Sequence, residues 1–309
     1  MSSALAAIIE GAIKGLKPLV ANLSLEAERM GQDLLGQTER LPESLKLFRW
    51  DVERGDGSLI PAEWFHPGGA PEDLVIIYFH GGSYISGSLL YCRLLASEFA
   101  DRSGLNTLSF EYRLAPENPF PAALEDAQCV YGKVLSLGVA PLKIAFLGES
   151  AGGGLALALA LKLRDEGQPV PGALALISPW TDLTLSGETY KTNEKIDPVL
   201  SVSKLDRARH YYTEPENFKN PYVSPAFGNF RGCPPALIHA GTHEILLSDA
   251  HKLAKKMAES NFDVRLEEWE GMWHVWHAFD TKESKSAKES IVRFIISRLS
   301  KNGGGKGNS

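Results

Sequence analysis

Residues 144–164 read IAFLGESAGGGLALALALKLR. The first part, Ile144-Ala-Phe-Leu147, is apolar throughout and too short for a helix, as in a strand buried on both faces. The last part, from Leu155 to Arg164, is a Leu/Ala run of good helix formers. Between them stands Gly148-Glu149-Ser150-Ala151-Gly152, a G-x-S-x-G placed at a strand-to-helix turn. Such a turn holds its serine in a crowded, strained backbone, so small neighbours are required on both sides. The helix N-terminus behind the serine favours negative charge developing nearby. A phosphate-binding turn would also be glycine-rich, but there is no Walker lysine and no G-x-G-x-x-G spacing. Ser150 is therefore the candidate nucleophile.

The same alternation extends outward. Residues 74–79 (LVIIYF), 105–110, 173–177 and 236–239 are further apolar runs, while 264–269 alternates and is expected nearer a sheet edge. Helical patterns fill 88–102, 122–137, 249–260 and 285–299. Strand and helix in turn predict an α/β fold with a mostly parallel, doubly wound sheet. Runs at 48–52 and 60–65 around Gly55-Asp56-Gly57 predict a hairpin. Residues 1–45 and about 184–215 break the alternation and are expected to fold together as a helical lid. The expected organisation is an N-terminal helical segment (1–45), a catalytic α/β domain (46–300) with a second lid segment at about 184–215, and a disordered tail (301–309) rich in glycine.

Composition narrows the function. The chain has 309 residues, 44% hydrophobic and 23% charged, with a formal net charge of -6. That balance describes a folded, soluble domain and carries no basic footprint for nucleic acid. Cys92, Cys129 and Cys233 are odd in number and scattered, which predicts a reducing, cytoplasmic setting. In residues 1–23 no Lys or Arg precedes the apolar stretch and Glu10 interrupts it, unlike a secretory signal. Leu5, Ile8, Ile9, Ile13, Leu16, Leu19 and Val20 recur instead at helical spacing, predicting an amphipathic helix packed on its own domain. No run reaches the ~20 apolar residues needed to span a bilayer.

The remaining site residues follow from chemistry and chain order. His80-Gly81-Gly82-Ser83 ends the 74–79 strand. Paired glycines there let backbone N–H groups approach a tetrahedral oxyanion, with Gly82, Ser83 and Ala151 the expected donors. In this arrangement an acid and then a histidine follow the serine. His274 and His277 follow the last strand, and His274, nearer the strand end, is favoured as base over His277. Past the 236–239 strand, Glu244 lies in the turn, whereas Asp249 reads as the N-cap of the next helix; Glu244 is favoured as the orienting acid. A zinc reading of His239/His243 with His274/His277 lacks ligand spacing. No metal or cofactor is expected.

Taken together the motifs resemble the hormone-sensitive-lipase family of α/β-hydrolases, in its bacterial carboxylesterase branch. The resemblance runs from about residue 45 to 298. It rests on HGGSYISGS (80–88), EYRLAPENPFPAA (111–123), GESAGGGLA (148–156), SPWTDLT (178–184), NPYVSP (220–225), GTHEILLSD (241–249) and GMWHVWHAF (271–279). It implies an α/β-hydrolase fold with a helical cap, a Ser150–His274–Glu244 triad, and short- to medium-chain carboxylic esters as substrates. It also implies that 1–45 and 184–215 form the cap lining the acyl pocket. The pattern departs from the family at Ser83, where a third glycine is usual, at Glu149, and at Glu244, where Asp is commoner. A hormone receptor within the same resemblance lacks the histidine; its presence here at 274 points to an enzyme. A small ester is the expected partner, a lactonase, amidase or deacetylase would use the same chemistry, and a homo-oligomer is compatible with the chain.

Overall fold

The computed structural model describes residues 2–20, 23–37, 40–260 and 262–301. The tail expected to be disordered lies, beyond Lys301, outside the described residues. The chain runs through helices α1 (Ala4–Val20) and α2 (Leu25–Gln37), then strands β1 (Leu45–Arg49), β2 (Val52–Glu53), β3 (Leu59–Ile60), β4 (Ala62–Pro67) and β5 (Val75–Phe79). There follow α3 (Leu89–Ser103), β6 (Asn106–Phe110), α4 (Ala122–Ser136), β7 (Ile144–Glu149), α5 (Ala151–Asp165) and β8 (Ala173–Ile177). The last elements are α6 (Thr189–Thr192), α7 (Val202–Tyr212), β9 (Ala236–Gly241), α8 (Leu247–Glu259), β10 (Val264–Trp269) and α9 (Lys282–Lys301).

The main sheet has eight strands in the order β1-β4-β6-β5-β7-β8-β9-β10. From β6 to β10 every neighbouring pair is parallel; β4 alone runs against both its neighbours, β1 and β6. The expected hairpin is β1–β4, with the β2–β3 ribbon continuing toward a turn closed by Arg54 and Ser58. Gly57 there sits at φ +85, a conformation glycine adopts without steric cost. β10, none of whose residues is fully buried, lies at the edge as expected.

Both faces of the central strands are covered. Val75, Ile77 and Phe79 of β5 join one core cluster with α4, α5 and α8, while Ile76 and Tyr78 join another with α3 and α9. This is the period-2 alternation of a strand between two helical layers. Ser88 caps α3, its side chain accepting from the Tyr91 N–H, and Gly104 closes it at φ +65.

One expectation needs correction. Asp249 is not a helix N-cap: α8 begins at Leu247, and Asp249 lies inside its first turn, buried. Its Oδ2 accepts from the Thr181 and Asp182 N–H groups (3.2 and 3.0 Å) and from Tyr190 OH (3.1 Å). The strand-end turn runs straight into the helix, so the carboxylate bridges α8 to the segment after β8 instead of closing its own backbone. Helix α1 packs on the protein as expected, but by only part of its apolar surface. Ala6, Ile9 and Ile13 join Trp273 and Trp276 in a third core cluster, whereas Leu5, Ile8, Leu16 and Leu19 are exposed.

Candidate active site

The G-x-S-x-G turn is dictated by crowding. A Cβ on Gly152 would lie 2.1 Å from the Phe79 carbonyl oxygen and 2.3 Å from that of His80; one on Gly148 would lie 2.4 Å from the Gly152 carbonyl oxygen. Only hydrogen fits. Ser150 stands at φ 52, ψ -123, a region an L-residue occupies at a cost of about 1–3 kcal/mol. It is held there by its N–H donating to the Ile177 carbonyl (2.9 Å) and by its carbonyl accepting from Trp180 (2.9 Å) and Gly154 (3.2 Å).

The turn after β10 carries His274. Its Nε2 is 2.9 Å from Ser150 Oγ, and its Nδ1 is 3.1 Å from Glu244 Oε2. Glu244, in the turn between β9 and α8, has no exposed surface. Its Oε1 accepts from Ser178 Oγ at 2.9 Å and from the Gly241 N–H. Ser178 Oγ in turn accepts from the Val275 N–H (3.2 Å), so one hydroxyl ties the acid to the loop of the base. With Nδ1–H donated to Glu244, the Nε2 lone pair faces the serine hydroxyl. Burial pushes the His274 pKa down, but the Glu244 hydrogen bond and charge, and then the charges of Asp197 and Glu149, raise it above the ordinary 6.5.

His277 is not brought to Ser150. It is fully buried, with Nε2 3.1 Å from His239 Nδ1 and its ring against Trp276, and burial, then His239 and Lys288, hold its pKa well below 6.5. Asp249 likewise stays away from the triad, bound to the 181–182 backbone. Among the described residues no three His, Cys, Asp or Glu side chains are grouped to hold a metal ion.

The His80–Ser83 stretch lies beside the serine. The His80 ring stacks on Tyr112 (4.0 Å between centroids) and its Nδ1 is 2.7 Å from the Gly81 carbonyl oxygen, and burial lowers its pKa to about 4. The neutral ring therefore donates to that carbonyl. The Gly81 N–H is taken by Glu149 Oε1 (3.0 Å), which also accepts from Tyr78 OH (3.0 Å). The Gly82 carbonyl accepts from the N–H groups of Ile85 and Ser86 and from Ser86 Oγ, each at 3.0 Å. Because the peptide is planar, that anchoring aims the Ser83 N–H the opposite way. The N–H groups of Gly82, Ser83 and Ala151 find no acceptor among the described residues. Ser83, in the place of the family's third glycine, takes φ 56, a glycine-like value, so the turn retains its course at some steric cost.

Residues missed in the sequence are Ser178, Asn193 and Asp197. Asn193 Nδ2 donates to the carbonyls of Thr242 and Glu244 (3.0 Å each), and Asp197 Oδ2 accepts from the Ile245 N–H (2.9 Å). The SPWTDLT motif flagged the neighbourhood of Ser178, but its bond to a residue so distant in the chain had no local signal.

Residues 76–278 match a protein family described by its alpha/beta hydrolase fold. The chain is 40% identical to an acetyl-hydrolase of Streptomyces hygroscopicus, over 70% of this chain and 72% of that one. It superposes with a TM-score of 0.90 on EstE5 from a crystal soaked with p-nitrophenyl butyrate, at 33% identity, covering 97% of this chain and 100% of that one. An esterase from the bacterial hormone-sensitive lipase family matches with a TM-score of 0.88 at 33% identity, again over 97% and 100%. The chain belongs to the alpha/beta hydrolase fold family, within its hormone-sensitive-lipase branch.

Proposed function

We propose that the protein is a serine carboxylesterase that hydrolyses small carboxylic esters through an acyl-enzyme. The observation that carries this reading is the position of one imidazole, 2.9 Å from Ser150 Oγ on one side and 3.1 Å from the buried Glu244 carboxylate on the other. Its relatives named acetyl-hydrolase and esterase support the same class.

In the first step Ser150 Oγ attacks the ester carbonyl carbon while its proton passes to His274 Nε2. The C=O electron pair moves onto oxygen, and the N–H groups of Gly82, Ser83 and Ala151 receive that oxyanion. Collapse breaks the bond to the alkoxy group, which leaves as an alcohol with the proton from Nε2. A water molecule then gives its proton to Nε2 and attacks the acyl carbon, and the second collapse returns the proton to Ser150 and releases the carboxylic acid. Glu244 holds the Nδ1–H tautomer and stabilises the imidazolium.

The segments 1–45 and 184–215 act as a cap that limits the acyl chain to short and medium lengths. Their mutual contacts support their folding together: Lys17 Nζ of α1 donates to the carbonyls of Glu194 (3.3 Å), Asp197 (2.6 Å) and Leu200, and Arg207 of α7 pairs with Glu28 of α2 (2.8 Å).

A series of p-nitrophenyl esters from acetyl to palmitoyl tests the reading, with the highest kcat/KM expected at the short end. A fluorophosphonate should abolish turnover and be found by mass spectrometry on the peptide holding Ser150, and a chelator should leave the rate unchanged. Label on another serine, or a rate that rises only above the substrate's solubility limit, overturns the assignment or the substrate class respectively. Glu244→Gln should fold normally and lose ~10⁴-fold in kcat.

A further inference from the structure

The acid loop is not held by its own strand and helix alone. The carbonyls of Thr242, Glu244 and Ile245 and the N–H of Ile245 are met by side chains of one short segment, α6 and the turn after it (189–197). Thr189 Oγ1 donates to the Ile245 carbonyl (2.7 Å), Asn193 Nδ2 to those of Thr242 and Glu244, and Asp197 Oδ2 accepts from Ile245. Asp197 is fully buried, and its Oδ1 accepts from the N–H groups of Val199 and Leu200 at 2.8 Å each, which curls the turn around the carboxylate. On its outer side the turn is gripped by Lys17, and Val199 packs with Ile9 and Ile13 of α1 against the tryptophans flanking His274.

We infer that Asp197 is a positioning residue for the triad: it fixes the Glu244 loop through Ile245, and Lys17 clamps the turn that carries it. This rests on the assignment of His274 as base. Burial pushes the Asp197 carboxyl up, countered by His274 and by three backbone N–H donors, those of Leu200, Ile245 and Val199. The charges facing His274 are Glu244, Asp197 and Glu149, and those facing Lys17 are Asp197, Glu194, Lys14 and Lys204. A carboxylate near an imidazolium favours the protonated ring. Removing it lowers the pKa of the base, and the acid limb of kcat/KM moves to lower pH.

Asp197→Asn tests the inference on the full chain with p-nitrophenyl butyrate. The expected result is an acid limb displaced by about half a pH unit or more toward acid, with kcat at the plateau reduced several-fold. A part that merely supports the fold would lower stability and leave the limb in place. Lys17→Met keeps the aliphatic stem and lies on a partly exposed helix, so it serves if the first variant does not fold. It should lower kcat several-fold with KM within about twofold. An unshifted limb in folded Asp197→Asn, or wild-type kcat in Lys17→Met, overturns the inference; a rise in KM alone assigns Lys17 to the substrate pocket and also overturns it. The wild-type enzyme run alongside separates the two claims: absence of ester hydrolysis there would sink the esterase reading itself.

Discussion

His274 and His277 are close neighbours on one short loop, yet their surroundings send them in opposite directions. The carboxylates of Glu244, Asp197 and Glu149 favour a proton on His274, whereas burial and the neighbouring His239 and Lys288 disfavour one on His277. The base must be neutral to accept from Ser150, so kcat/KM should rise with pH through a value above the usual 6.5 of histidine. His274→Ala should lower kcat by ~10³-fold or more and remove that limb. His277→Ala should keep the limb and show a lower Tm, since it empties a packed position between Trp276 and His239. pH–rate profiles of both variants, with thermal melts, check this. Ser150, the proposed nucleophile, stood out because its signal is local: five consecutive residues between a strand and a helix. Ser178 and Asp197 were not, because each acts on a residue that only the folded sheet brings near.

Elements are legible where burial on both faces imposes an unbroken apolar run, as in β5 and β7, and less so where a helix start has to be inferred from residue type. Asp249 looks like a cap, but α8 starts two residues before it and Leu246 at its N-cap offers no side-chain hydrogen bond. Asp249 Oδ1 has no hydrogen-bond partner among the described residues, and burial, then the Asp182 charge, raises the carboxyl well above 3.8. A raised carboxyl pKa favours the protonated native state, so this contribution is fully present in acid and is lost as pH rises through the folded pKa. Asp249→Asn mimics the neutral group. It should remain active, and its Tm relative to wild type should become more favourable from about pH 4 to about pH 7. Asp249→Ala leaves the Thr181 and Asp182 N–H groups unmet and should cost about 1–3 kcal/mol at any pH. Urea melts of the two variants at several pH values read both effects.

Across the whole molecule, stability is unevenly spread. Almost every residue of α5 is buried, whereas among the described side chains of α1 only Ala6 is, and Ile8 and Leu19 face outward. Amide exchange followed by mass spectrometry should find α1 open orders of magnitude faster than α5; equal protection would contradict the packing. No helix among the described residues is long and apolar enough to cross a membrane. The amphipathic pattern announced α1 but not how little of it the domain covers, since coverage depends on what the rest of the chain offers. The reaction centre draws on the same completed framework. Ser83, Tyr84, Ser150, Ser178 and Val275 all have φ between 45 and 64, and all lie in the turns that follow strands around the nucleophile. L-amino acids prefer the opposite hand, so each of these stretches, taken out of the sheet, would unwind toward ordinary right-handed backbone. At position 83 a glycine would relieve the mismatch; at 150 nothing can, because the chemistry requires a side chain. The proposed nucleophile is thus kept in a mirror-image posture by the assembled fold, and no isolated fragment of this chain would present it.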